Sequence, residues 1–397
     1  MNRSAISRVP GFLAGAVSAG IKKRDRKDLA LIFSEVPACA AGVFTRNRVP
    51  AAPVLLDRER IARGRAQAVV ANSGNANACT GKRGLQDAEN TTRLAAQALG
   101  VDETLVLALS TGVIGVPLNM DAIETAVPKL AGGLRPDGFF EVAEAIMTTD
   151  TFAKIVSRRA EADGKAFSVT AVAKGAGMIR PDMATMLCVV CTDMGGPAGP
   201  LQRALTDAVA KSFNTITVDG DTSTNDTVLV LANGLSGLSL EGPGCASAFQ
   251  QVLDEMLMSL ALQIVEDAEG ATKSVKISVR GAQNREDARA VAYAVAESPL
   301  VKTALYGQDA NWGRIMAAVG RSGAAVDAEA VDVFFDNVRV VARGQGLGPE
   351  AEEMASNVLK QKQFCIVIDL GVGRAGFVVH TCDLSIDYVK INADYRT

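Results

Sequence analysis

The chain has 397 residues, 48% of them hydrophobic and 21% charged, with a formal net charge of -3. That length can bury a large core and fill about two to three domains or subdomains. The balance of charge excludes the basic footprint of a nucleic-acid binder and the acid excess of a disordered tail, which leaves small molecules as the expected partners.

Seven cysteines (39, 79, 188, 191, 245, 365, 382) are an odd number, mostly set in apolar or small-residue segments. The pattern is that of reduced core residues in a cytosolic protein. Cys188 and Cys191 form a C-x-x-C, but a strand's period of two puts them on opposite faces, against a metal knuckle or a redox pair. The single histidine, His380, sits in an apolar strand-like run. A Ser-His-Asp triad, a Cys-His pair or a multi-histidine metal centre would have to use it or be absent. A nucleophile here is therefore expected to find its base elsewhere.

At the N-terminus, Arg3 and Arg8 precede the small apolar run 11–20, which superficially resembles a signal peptide. The run is short, poor in large side chains and followed at once by the basic cluster 22–27, so the expectation is a soluble cytoplasmic protein without a membrane span. Strands are predicted within 28–43 and over 66–71, the second running into a loop of small polar residues, Asn72 to Gly81. A helix over Asp87–Leu99 ends at Gly100. A short buried strand, Leu105–Leu109, then breaks into Ser110-Thr-Gly112, where a hydroxyl and backbone N–H groups could form an oxyanion hole or a plain turn.

Two helices are expected over 120–130 and 136–146, followed by the hydroxyl cluster Met147 to Phe152. The alternating stretch 166–173 leads into Lys174-Gly-Ala-Gly177, then Pro181, then Thr185, at the threshold of an apolar run (186–190) that reads as a buried strand. After a Gly/Pro loop, Leu201, Leu205, Ala208 and Val209 share one helical face. The run 216–227 collects aspartates and threonines without the spacing of a calcium loop, and reads as a polar network supporting a site. Leu253, Met256, Leu257, Leu260 and Ile264 form the stripe of a long helix. That helix ends in the acids of 266–269, which oppose the helix dipole unless a cation or a substrate ammonium faces Glu269.

Strand 275–279, helix 288–296, a segment 298–307 and a short helix beyond Arg314 follow, with Trp312 as the anchor of its loop. Strand 331–335, helix 349–360 and strands 364–370 and 375–382 precede a tail, 387–397, too regular and apolar for a frayed end.

Thr185 invites a specific chemistry. A threonine without a histidine can be activated once it is a chain N-terminus, because its own α-amine, of pKa about 7.7 to 8.0, serves as base. That requires cleavage between Ala184 and Thr185, by attack of the hydroxyl on its own preceding carbonyl. The alternative is a buried structural threonine.

The stretch Lys174-Gly-Ala-Gly-Met-Ile-x-Pro-x-Met-Ala-Thr-Met-Leu187 resembles the self-cleaving motif of the arginine-biosynthetic ornithine acetyltransferases, also called glutamate N-acetyltransferases (the ArgJ family). The resemblance extends over nearly the whole chain, through Gly42-Val-Phe-Thr-Arg-Asn47, residues 72–81, Ser110-Thr-Gly-Val-Ile-Gly115, Met147-Thr-Thr-Asp-Thr151, residues 219–226, Asn311-Trp-Gly-Arg314 and residues 391–397.

The resemblance implies an α/β fold: an α-β-β-α layered sandwich with a second α/β subdomain. It implies self-processing into an α chain (1–184) and a β chain (185–397), assembled as α2β2. It implies Thr185 as nucleophile, Thr111 and Gly112 as oxyanion hole, and Thr148, Lys174, Thr185, Glu269, Asn392 and Thr397 as substrate-binding positions. The implied reaction is ping-pong transfer of acetyl from N-acetylornithine to glutamate, without metal or other cofactor. Whether acetyl-CoA serves as a second acetyl donor stays open. Lys174, on a flexible glycine loop, is expected to reach the substrate carboxylate, and Glu269 an amine. Two departures from the family pattern, Ala176 in place of serine and Asp182 in place of asparagine, bear on the processing rate. Two other readings stand beside this one: an aminopeptidase or amidase on the same scaffold, and a non-catalytic amino-acid-binding protein with an uncut chain.

Overall fold

The computed structural model describes residues 8–22, 26–180 and 186–394. It is a mixed α/β protein of two compact units. The first unit comprises residues 1–214 and 222–264, the second 215–221 and 265–396. Each carries its own sheet.

The first unit's strands are β1 (Phe12–Val17), β2 (Leu29–Phe44), β3 (Arg65–Asn75), β4 (Val106–Val113), β5 (Lys154–Ala162), β6 (Lys165–Lys174), β7 (Leu187–Thr192) and β8 (Thr227–Ala232). They form one sheet ordered β4-β3-β2-β8-β7-β6-β5, with β1 also paired to β2. β2 carries Pro37, which has no N–H for a ladder. Its register on β3 shifts between Phe33 and Ala38, and the strand changes partners there, from β1 in its first half to β8 in its second. Strands β7 and β8 are buried along their whole length, and one face, with Leu187, Val189, Leu229 and Leu231, packs in a cluster with α4 (Phe139–Ile146).

The helices of this unit are α1 (Ala52–Ile61), α2 (Gly81–Leu99), α3 (Met120–Gly132), α4 (Phe139–Ile146), α5 (Ala198–Lys211) and α6 (Pro243–Glu266), whose last two residues belong to the second unit. α4 packs on β1, β2 and β6, inside one apolar cluster with Leu107, Val172, Val189 and Leu231. The predicted stripe on α6 is fully buried, as are Leu201, Leu205, Ala208 and Val209 on α5. α1 covers the outer edge of β4: Asp57 Oδ1 accepts from Ala108 N at 2.9 Å, and Arg60 Nη1 donates to Val106 O at 2.5 Å. Those bonds satisfy an edge that would otherwise recruit another strand.

The second unit holds β9 (Ser274–Ala282), β10 (Asp332–Phe335), β11 (Val338–Ala342), β12 (Gln345–Gly346), β13 (Gln363–Asp369) and β14 (Ala375–Cys382) in the order β12-β11-β10-β13-β9-β14. Helices α7 (Arg285–Ala296), α8 (Pro299–Tyr306), α9 (Trp312–Gly320), α10 (Pro349–Val358) and α11 (Ile386–Asp394) complete it. Trp312 opens α9, packs against the unit's core and donates from Nε1 to Glu352 at 2.8 Å.

Several elements differ from the sequence reading. The strand predicted to stop at Ala71 continues to Asn75, and α2 begins at Gly81 rather than Asp87. Strands β1, β5, β11 and β12 carry no clear alternation and were not expected. The C-terminal tail is a helix as far as Asp394, but its apolar residues are not core: Ile386 and Val389 are 61% and 62% exposed. Among the cysteines, Cys79 is exposed, on a polar loop at φ 55°. Cys188 and Cys191 are both buried, and burial raises both thiols. His380 pairs opposite Lys276 in the sheet, and burial, then that lysine, lowers its imidazole to about 4. Among the described residues, no helix is long and apolar enough to cross a membrane.

Candidate active site

In the first unit, the parallel pairing of β3 and β4 breaks at Gly74 and Asn75, opposite Thr111 and Gly112. The Thr-Gly dipeptide is therefore not a strand end, as the sequence suggested, but a bulge within β4, which runs on to Val113. Gly112 adopts φ 129°, and a Cβ there would lie 2.4 Å from the carbonyl carbon of Gly74. Only glycine fits.

Side chains lock the bulge in place. Ser110 Oγ donates to Asn72 Oδ1 at 2.6 Å. Asn225 Nδ2 donates to the carbonyls of Ala76 (2.6 Å) and Ser110 (2.8 Å), and Asn75 Nδ2 to those of Val116 and Pro117. The Asp/Thr-rich run 222–226 is thus the supporting network its composition suggested. Thr45 Oγ1 reaches Ser223 O at 2.7 Å, and Asn47 Nδ2 reaches Thr222 O at 3.1 Å.

Against this bulge stands Lys174. It is the last residue of β6 and 3% exposed, which corrects the expectation of a lysine on a flexible loop: strand pairing with Leu187 fixes its backbone. Its Nζ donates to Thr111 Oγ1 at 3.3 Å. That leaves the Thr111 hydroxyl proton free to point elsewhere.

Asp150 organises the same corner. It is 6% exposed and accepts from Lys154 Nζ at 2.8 Å, Gly175 N at 2.7 Å and Thr148 N at 3.0 Å. One carboxylate therefore ties the Thr148 turn to the start of the glycine loop. Burial would raise its pKa, but Lys174 and Lys154 outweigh that and hold it at about 2. Lys22 joins from the N-terminal segment, donating to Met147 O at 2.8 Å and Ala145 O at 3.2 Å. Burial lowers its ammonium to about 8.

Asp226 closes the set. It is 1% exposed, and its Oδ1 accepts from Met186 N at 2.9 Å. Burial pushes its carboxyl well above the usual range, against the pull of the Met186 N–H and of Lys174.

In the second unit, Asn392 on α11 donates from Nδ2 to Glu269 Oε2 at 2.8 Å and to Tyr388 O at 3.1 Å. Tyr388 Oη lies 3.3 Å from Asp219 Oδ2, and burial, then Asp219 and Glu269, raise its phenol. The structure so brings Thr111 together with Lys174, and Glu269 with Asn392, each pair within its own unit. Ala184, Thr185 and Thr397 lie outside the described residues. Asp150, Lys154 and Asp226 were not singled out from sequence. Asp150 and Asp226 were visible only as acids among threonines, and nothing local says that their oxygens hold distant amides.

The ArgJ family model matches residues 13–397. The chain belongs to the ArgJ family. This ArgJ-family chain is 53% identical over 391 residues to the "Arginine biosynthesis bifunctional protein ArgJ" of Geobacter sulfurreducens, covering 98% of the chain and all of that relative. It is 55% identical over 396 residues to the protein of the same name from Syntrophotalea carbinolica, with the same coverage. Among solved structures it is similar to the ornithine acetyltransferase of Mycobacterium tuberculosis complexed with ornithine. There the identity is 40%, 44% of this chain and 92% of the other are covered, and the TM-score is 0.39. The motifs that carried the resemblance, from the Gly42 segment to the C-terminal residues, all fall inside the matched range.

Proposed function

We propose that this protein is a self-processing acyltransferase of arginine biosynthesis that moves acetyl from N-acetylornithine to glutamate. Thr185, freed by cleavage after Ala184, attacks the acetyl carbonyl, with its own α-amine as base. The Thr111 hydroxyl and the Gly112 N–H stabilise the oxyanion. Ornithine departs, and the amine of glutamate collects acetyl from the acyl-enzyme. Glu269, oriented by Asn392, serves the amine end of the substrates, with Thr148 and Thr397 as further contacts.

The observation that carries this reading is the contact of Lys174 with Thr111 in a chain of this family. With Lys174 donating to Oγ1, the Thr111 hydroxyl can still donate its own proton, which suits a developing negative charge. The buried ammonium adds a fixed positive field, whether toward that oxyanion or toward a substrate carboxylate. The proposal extends to cytoplasmic location, to α2β2 assembly and to catalysis without a metal or other cofactor.

Purified protein is assayed for ornithine release from N-acetylornithine with and without glutamate, and separately for N-acetylglutamate formation from acetyl-CoA and glutamate. Glutamate-dependent, double-displacement kinetics supports the reading. Hydrolysis of amides without need of an amine acceptor would replace it with an amidase, and turnover from acetyl-CoA would add a second activity.

A further inference from the structure

Where the ladder of β3 and β4 breaks opposite Thr111 and Gly112, a side chain from neither strand bridges the gap. Asn225 Nδ2 donates to Ala76 O at 2.6 Å, just past the break on β3, and to Ser110 O at 2.8 Å, just before it on β4. Both amide protons are thereby used. Oδ1 accepts from Thr224 Oγ1 at 2.6 Å, and the Asn225 N–H donates to Ser223 Oγ at 3.0 Å. The residue is 6% exposed, so every polar group of its side chain is held by protein rather than by solvent.

The same turn holds the head of β7. Asp226 Oδ1 accepts from Met186 N at 2.9 Å, and Thr227 donates its N–H to Met186 O at 3.1 Å. Thr45 N donates to Asp226 O and Ala51 N to Thr224 O, both at 2.9 Å, and anchor the turn from outside. Residues 225–227 therefore fix the bulge of β4 and the first residues of β7 to one frame.

We propose that Asn225 is a positioning residue for acyl transfer, bracing the Ser110–Thr111 peptide so that Thr111 and Gly112 keep their placement relative to the head of β7. The inference rests on the reading of Thr111 and Gly112 as the oxyanion hole. The carbonyl of Ser110 and the N–H of Thr111 belong to one planar unit, so a donor on that oxygen sets the direction in which Thr111 and Gly112 leave it. A hole contributes only if its donors already lie where the negative charge develops. Asparagine suits the task because it supplies two donors without a charge, which leaves the ammonium of Lys174 as the charge in contact with Thr111.

Wild type, Asn225→Ala, Thr111→Ala and the double variant are compared by steady-state transfer of acetyl from N-acetylornithine to glutamate. Rates are taken per cleaved chain from a denaturing gel, beside a melting curve for each protein. Asn225→Ala is expected to lower kcat about tenfold or more, since a misplacement of about 1 Å can cost about 10²-fold, and to leave KM for N-acetylornithine within about twofold. Because the brace acts through the hole, the double variant should lie within about threefold of Thr111→Ala rather than at the product of the two losses. Thr224→Val, which keeps the shape but removes the hydroxyl on Oδ1, should lower kcat about threefold with KM unchanged.

Wild-type kcat in a folded, cleaved Asn225→Ala would overturn the proposal. So would a loss confined to KM, or losses that multiply in the double variant, which is what a packing defect unconnected to the hole would give. If Asn225→Ala fails to fold or stays uncut, Thr224→Val decides, and wild-type kcat in that variant overturns the brace. Thr111→Ala with wild-type kcat would instead overturn the underlying reading of the hole.

Discussion

Lys174 Nζ lies 3.3 Å from Thr111 Oγ1, joining the last residue of β6 to the bulge of β4 across 63 residues of sequence. Both side chains are buried, so the contact is shielded from water and its electrostatic effect is larger than at a surface. Lys174→Met, close in volume but uncharged, is expected to lower kcat/KM by about 10²–10³ while the protein stays folded. Steady-state kinetics beside a melting curve checks this.

Thr111 and Gly112 should fail in different ways. Thr111→Ala removes a hydroxyl and is expected to lower kcat by about 10²-fold with little loss of stability. Gly112→Ala must force a Cβ to within 2.4 Å of the Gly74 backbone at a φ of 129°. It should destabilise by about 3 kcal/mol or more. Denaturant melts of the two variants distinguish the cases.

Cleavage after Ala184 would not release two separate bodies. The break falls between β6 and β7, but β7 pairs with β6, and β8 pairs with β2, in one continuous sheet. The cut protein is expected to elute as a single species in native size exclusion and to separate into 1–184 and 185–397 only after denaturation. Elution of the fragments apart under native conditions would contradict this.

Asp150 predicts a pH signature. Its folded pKa of about 2 lies below the ordinary 3.8. The unfolded chain thus takes up the proton first as pH falls. The stability Asp150 contributes is complete above about pH 4 and lost progressively toward pH 2. Asp150→Asn should flatten that slope and, by removing the buried carboxylate to which Lys154 Nζ donates, cost about 3–5 kcal/mol at neutral pH. Asp57 and Asp226, raised by burial, give the opposite slope at higher pH. The difference between wild type and variant below pH 4 is therefore the quantity to measure by urea denaturation.

Glu269 and Asn392 are a surface pair, and their substitution should be felt in binding alone. Asn392→Ala frees Glu269 from its 2.8 Å hydrogen bond. It is expected to raise KM for the amine substrate about tenfold, with stability unchanged to within about 0.5 kcal/mol. A change confined to kcat would argue against an orienting role.

What the sequence determined by itself was local or periodic. The stripes on α5 and α6, the stop at Gly100, the opposite faces of Cys188 and Cys191 and the bland setting of His380 follow from spacing and turn chemistry, and the order of motifs identified the family. Its limits were physical too. Asn72 to Asn75 look like loop because their side chains are polar, yet they are strand because Ser110 donates to Asn72 and the carbonyls of Val116 and Pro117 accept from Asn75, all from farther along the chain. Lys174 looks mobile beside its glycines, yet the ladder with β7 and its contact with Thr111 fix it in place. Asp226 looks like one acid among several, and only the tertiary structure sets it against the amide of Met186. Such roles depend on which distant backbone groups need a partner, and that is decided when the strands come together, not by the residues alongside.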